Sequence, residues 1–143
     1  MKKILLVDDD DYKISNIKSF VEKQIQCDIS VEKALNPGLK KLVKETFDLV
    51  LLDMSMPTFN ISETNNFNSY GGLEFLKEML RRKDKTPVVI VTQYAIFGEG
   101  QSKRTLEAIG EECKNSFENY KGIVLYSSTE DSWKEKLLKV IGE

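Results

Sequence analysis

Three carboxylates in this chain are spaced to meet at one point. Asp53 ends the apolar run Asp48-Leu-Val-Leu-Leu-Asp53 and leads into Met54-Ser55-Met56-Pro57. Near the start, Lys3-Ile-Leu-Leu-Val-Asp8-Asp9 repeats the pattern of a short apolar strand ending in acid. If those strands lie side by side, Asp8, Asp9 and Asp53 converge on one rim of a sheet. Like charges so close need a cation or protons to coexist. That points to a magnesium site that receives phosphate, because magnesium takes one or two carboxylates, keeps several waters and binds phosphate oxygens.

Composition narrows the chemistry further. The 143 residues contain no histidine, which removes Ser-His-Asp and Cys-His catalysis, the usual zinc sites and phosphohistidine formation within this chain. Any phosphoryl chemistry therefore runs on carboxylates, with phosphate delivered from outside. Cys27 and Cys113 form no C-x-x-C pair and read as reduced thiols of a cytoplasmic protein. A net charge of -2 gives no electrostatic reason to expect nucleic acid or an anionic membrane as partner. No apolar stretch is long enough for a membrane span. With 41% apolar and 31% charged residues, the chain reads as one folded domain over 1–143.

The elements that must position the acids alternate between two periods. Lys3–Asp8 reads as a buried strand, followed by a helix capped by Asp10 or Asp11 with Ile14, Ile17, Phe20, Val21 and Ile25 on one side. Ile29–Ala34 is a weaker strand. Asn36-Pro37 reads as a helix start, with Leu39, Leu42, Val43 and Phe47 as its stripe. Leu49–Asp53 is the most apolar strand and is expected at the centre. Helices are expected over Gly72–Lys83, carrying Leu73, Leu76, Met79 and Leu80, and over Ser102–Tyr120. Between them Pro87–Thr92 is a strand, and Gly122–Tyr126 is the fifth. Ser128 or Thr129 caps a last helix with Trp133, Leu137, Val140 and Ile141. Five strand–helix units imply a parallel sheet with helices on both faces. Ligands of such sheets sit beyond the carboxyl ends of the strands, where Asp8, Asp9, Asp53 and Thr92 fall.

The runs Ile4-Leu-Leu-Val-Asp8-Asp9, Leu51-Leu-Asp53-Met-Ser-Met-Pro57 and Val89-Ile-Val-Thr92, in that order, resemble the receiver domain of two-component response regulators over essentially the whole chain. The resemblance implies an α/β, doubly wound (βα)5 CheY-like or flavodoxin-like sandwich with five parallel strands in the order 2-1-3-4-5. It implies that Asp53 is the phosphoacceptor, and that Asp8, Asp9, Asp53 and the main-chain carbonyl of Ser55 hold Mg2+. Thr92 would contact the phosphoryl group and act as the switch. Gln93 would crowd the pocket or donate a hydrogen bond to the phosphoryl group. Ser55 and Tyr94 fall where the family tunes hydrolysis of the acyl phosphate. A sensor histidine kinase or phosphotransfer protein would supply the phosphate, and a downstream protein of unknown identity would read it. Because the sequence stops just after the fifth helix, no output domain is expected.

Two departures stand against that pattern. The lysine that receivers carry at the end of the fifth strand is missing, and its place falls on Tyr126 or Ser127. Lys103 and Lys121 are the nearby lysines considered as substitutes, although solvated surface positions suit them better. The connection 54–71 is also longer than usual, with Phe59, Phe67 and Tyr70 among Asn and Ser, and the 93–102 region is extended. Connections of this length are usually functional or disordered. Rival readings are a pseudo-receiver that binds partners without phosphorylation and an aspartyl-nucleophile phosphohydrolase. The latter wants a second acid where Ser55 stands.

Overall fold

Fully apolar runs need cover on both sides, and the computed structural model, which describes residues 1–59, 67–98 and 100–142, supplies it. The elements in chain order are β1 (Lys2–Val7), α1 (Asp11–Gln24), β2 (Cys27–Glu32), α2 (Leu35–Lys44), β3 (Leu49–Leu52), β4 (Met56–Pro57) and β5 (Phe67–Asn68). Then come α3 (Gly71–Arg81), β6 (Val88–Thr92), β7 (Ile96–Phe97), β8 (Arg104–Thr105), α4 (Leu106–Ser116), β9 (Tyr120–Leu125) and α5 (Ser132–Ile141). The main sheet runs β2-β1-β3-β6-β9, all parallel, which is the expected 2-1-3-4-5 order of long strands.

The sheet separates two cores. On one face Leu5, Val7, Val50 and Leu52 pack against α2, α3 and α4 through Leu39, Phe75, Leu76, Ile109 and Cys113. On the other, Ile4, Leu6, Leu51 and Val91 meet α1 and α5 through Ile17, Val21, Trp133 and Leu137. Alternating side chains of one strand thus feed opposite layers, which is why every residue of β3 and β6 is buried.

Several sequence-based boundaries need correction. α2 begins at Leu35 with Ala34 as N-cap, so Asn36 does not cap it; the Asn36 N–H instead donates to the Thr58 carbonyl at 2.9 Å. Val43 and Leu80 are exposed rather than core. The helix expected over Ser102–Tyr120 is only Leu106–Ser116, because Arg104–Thr105 pairs antiparallel with Ile96–Phe97 and Thr105 caps the helix through Ala108 N–H. α5 starts at Ser132 after Asp131, since Ser127 and Thr129 spend their hydroxyls on a turn with each other. Asp10, not Asp11, caps α1, accepting from the N–H groups of Tyr12 and Lys13.

Both long connections contain small antiparallel ladders. Met56–Pro57 pairs with Phe67–Asn68 across the base of the 54–71 connection; most of its interior, 60–66, lies outside the described residues, as does the Phe67 side chain. Tyr70 joins this connection to the 93–102 region. Its hydroxyl donates to the Phe97 carbonyl at 3.0 Å, and the Arg104 guanidinium lies 5.5 Å from its ring centre. Among the described residues, no helix is long and apolar enough to cross a membrane.

Candidate functional site

Register brings the acids together. Val7 of β1 lies opposite Leu52 of β3, so Asp8 and Asp53 leave the sheet side by side. The Asp53 N–H donates to the Val7 carbonyl at 2.9 Å, extending the ladder one step past the strand. One oxygen from each of Asp8, Asp9 and Asp53 lies within 4.8 Å of the others. Asp8 and Asp53 are buried, while Asp9 is exposed. Asp9, Asp10, Asp53, Ser55, Gln93 and Tyr94 line a cleft of about 170 Å³ above them.

Buried beside Asp8 and Asp53 is a cation that the sequence reading missed. Lys13, in the first turn of α1, is completely buried. Its ammonium lies 2.7 Å from Asp8 Oδ2 and 3.2 Å from Asp53 Oδ1. It donates to the Val91 carbonyl at 2.7 Å and to Gln93 Oε1 at 3.0 Å. A lysine at this depth is tolerated only when paired and hydrogen-bonded. A signal was present in the sequence: Lys13 shares the i, i+4, i+8 stripe of Ile17 and Val21, so the helix that buries them must bury it too.

Burial dominates the electrostatics of the acids. It pushes the Asp53 carboxyl up to about 7, with Lys13 opposing and the negative Asp8 adding to the rise. Asp8 is likewise raised, mainly by burial and against the pull of Lys13. Asp9 is raised by partial burial and by the charge of Asp8. One ammonium set against three carboxylates leaves two negative charges when all are ionised.

That residual charge, with hard oxygen donors, fits a divalent cation such as Mg2+. Asp8 Oδ2 supports the fit: it is buried and, although the ammonium is close, it makes no hydrogen bond of good geometry among the described residues. Asp8, Asp9 and Asp53 could hold such an ion, with Ser55 on the rim of the same cleft.

The remaining expected residues divide. Thr92 ends β6 fully buried, and its hydroxyl accepts a long 3.4 Å bond from Tyr94 N–H. Gln93 reaches the site, but its side-chain oxygen accepts from Lys13. Tyr94 is half exposed, at the cleft mouth, with its ring edge-on to Phe97. The Ser55 hydroxyl donates away from the cleft to the Ser69 carbonyl at 3.1 Å. Of the two positions at the end of the fifth long strand, Tyr126 faces inward: it is buried, its ring centre is 5.9 Å from the Lys13 ammonium, and its hydroxyl accepts from Asn16 Nδ2 at 2.8 Å. Ser127 stays in its surface turn. Lys103 and Lys121 are exposed and take no part.

Comparison with known proteins agrees with this fold. The family model described as "Response regulator receiver domain" matches residues 4–108. The chain is 32% identical to the Detocs response regulatory protein DtcB of Enterobacter cloacae, over 99% of both chains. Response regulator protein TrrA of Thermotoga maritima, solved in complex with Mg(2+)-BeF, aligns with a TM-score of 0.64 and 25% identity, covering 98% of this chain and 99% of that one. A CheY-like receiver protein from Methanospirillum hungatei aligns with a TM-score of 0.69, covering 99% and 91%. At 21% identity the latter likeness speaks for the fold alone.

Proposed function

Since this chain belongs to the response regulator receiver family, we propose that Asp53 accepts a phosphoryl group and that the modified domain signals in the cytoplasm by contact with another protein. The donor is a sensor histidine kinase or a phosphotransfer protein, because no histidine is available in this chain to carry the phosphate.

One observation carries the reading: Asp53 is buried at an open cleft and, among the described residues, only one of its oxygens is committed. Oδ1 accepts the Met54 N–H at 2.8 Å and lies beside Lys13. Oδ2 is left to attack phosphorus in line. A P–O bond to Asp53 forms as the P–N bond to the donor imidazole breaks, its electron pair returning to nitrogen. Most of the catalysis in such a transfer is positioning and charge stabilisation. Asp8, Asp9, Asp53 and the Ser55 carbonyl would hold Mg2+, which when bound would neutralise charge on the transferred group. Burial holds Asp8 and Asp53 in place, and the Met54 N–H fixes the rotation of the acceptor carboxylate. Thr92, next to the site at the end of β6, receives the phosphoryl oxygens and passes the change to Gln93 and Tyr94. Tyr94 screens the acyl phosphate from water.

A second reading, a receiver that binds partners without phosphorylation, is favoured by the pairing of Lys13 with Asp8 and Asp53, which already resolves part of the acid cluster. Acetyl phosphate with Mg2+, followed by intact mass, separates the two. The proposed function expects one acid-labile phosphoryl group on wild type and none on Asp53→Asn. No label on wild type, from acetyl phosphate or from a phosphorylated kinase, leaves the second reading.

A further inference from the structure

We infer that Lys13 is the cation that contacts the incoming phosphoryl group, supplied from the first turn of α1 instead of from the end of β9; this rests on the reading of Asp53 as phosphoacceptor. Lysine has three N–H donors. Two are committed to Val91 O and Gln93 Oε1. The third is shared between Asp8 Oδ2 at 2.7 Å and Asp53 Oδ1 at 3.2 Å. The ammonium is therefore anchored by two neutral acceptors while its third donor is divided between two carboxylates, 3.2 Å from an oxygen of the reacting one.

Phosphorylation of Asp53 changes the demand on that donor. The carboxylate becomes a neutral acyl oxygen plus a phosphoryl group carrying its own anionic oxygens. A charge-assisted bond from the ammonium to one of those oxygens replaces its 3.2 Å contact with the Asp53 carboxylate. The anchor also gives the contact a consequence. Val91 and Gln93 flank Thr92, so a displacement of the ammonium pulls directly on the end of β6 and the segment after it.

Tyr126 explains why the cation comes from the helix. Its ring occupies the inner side of the β9 end, held by Trp133 at 5.0 Å between ring centres and by the Asn16 side chain. Asn16 is one turn along α1 from Lys13. The ring covers the ammonium at 5.9 Å and keeps water from it. A strand-borne lysine and Lys13 would compete for one volume and repel each other; the aromatic residue removes that conflict.

The test compares wild type, Lys13→Met and the double variant Lys13→Met/Tyr126→Lys, using acetyl phosphate with Mg2+ and, separately, beryllofluoride binding read by Trp133 fluorescence. The inference expects Lys13→Met to be labelled about a hundredfold more slowly, the loss typical of one transition-state donor, and to bind beryllofluoride weakly. Returning a lysine to position 126 should recover much of both. A folded Lys13→Met protein with wild-type labelling and beryllofluoride affinity overturns the inference and leaves the phosphoacceptor reading intact. A wild type that takes no phosphate overturns both. If Lys13→Met does not fold, the wild type answers alone: the Lys13 side-chain NMR signal, assigned with Lys13→Arg, shifts on beryllofluoride binding if the contact forms. An unmoved signal in a protein that binds beryllofluoride rejects it.

Discussion

Asp8 Oδ2 and the Lys13 ammonium lie 2.7 Å apart, and neither side chain has any solvent exposure. This pair ties the end of β1 to the first turn of α1 and places a positive charge under Asp53. It also makes the site a point of tension, since the burial that positions these charges raises the acids.

The first prediction follows from that tension. Asp53 is pushed up to about 7 by burial, and Asp8 and Asp9 are raised as well. A carboxyl that is raised on folding holds its proton in the native state over a pH range where the unfolded chain has released it. By linkage, stability falls as pH climbs from the ordinary carboxylate range, near 3.8, through about 7. Metal-free protein should thus melt at a higher temperature at pH 5 than at pH 8. Mg2+, which competes with those protons, should raise the midpoint more at pH 8. A metal-free midpoint that climbs from pH 5 to pH 8 would contradict the assignment.

Gly72 controls the loop that carries the acceptor. A Cβ there would meet the Asp53 carbonyl oxygen at 2.9 Å and Met54 Cα at 3.0 Å, both main-chain atoms with little room to move. The Gly72 N–H also donates to the Met54 carbonyl at 2.8 Å. Gly72→Ala should cost about 1–3 kcal/mol in urea denaturation and slow labelling of Asp53. Unchanged values for both would mean that the loop yields freely.

Removal of the Tyr94 ring should expose the acyl phosphate. Tyr94→Ala is expected to leave the labelling rate of Asp53 near wild type and to shorten the lifetime of the phosphorylated protein severalfold. Decay of the phosphoprotein mass after the donor is removed measures this. Equal lifetimes would show that the half-exposed ring does not screen the site.

Tyr126→Phe isolates a single hydrogen bond. The ring, its contact with Trp133 and its cover over Lys13 remain, while Asn16 Nδ2 loses the acceptor it now has at 2.8 Å. A loss of about 1 kcal/mol in urea denaturation is expected, with Asp53 labelling nearly unchanged. If labelling collapses instead, the hydroxyl does more than hold Asn16.

The acid triad was legible because strand ends are local features. Apolar runs that stop at Asp8 and Asp53 fix both the strands and their polar tips, and parallel pairing then sets those tips side by side. The helix starts were less so: Asn36-Pro37 looks like a cap, but packing of Leu35 begins the helix earlier. The alternative between Tyr126 and Ser127 could not be closed on sequence either. It depends on which side chain turns inward past the end of β9, and that is set by Trp133 and Asn16, remote in the chain.

By itself the sequence determined the strand–helix alternation, the converging carboxylates and the absence of the strand-borne lysine. Each follows from hydrophobic period or from residue identity at a strand end. Only the tertiary structure decided that the site still contains a lysine. Lys13 and Asp53 are forty positions apart in the sequence, and no spacing rule joins the first turn of one helix to the tip of a later strand. They meet because α1 packs its Lys13–Ile17–Val21 face on the sheet, which brings a charge that burial alone would forbid to carboxylates that compensate it.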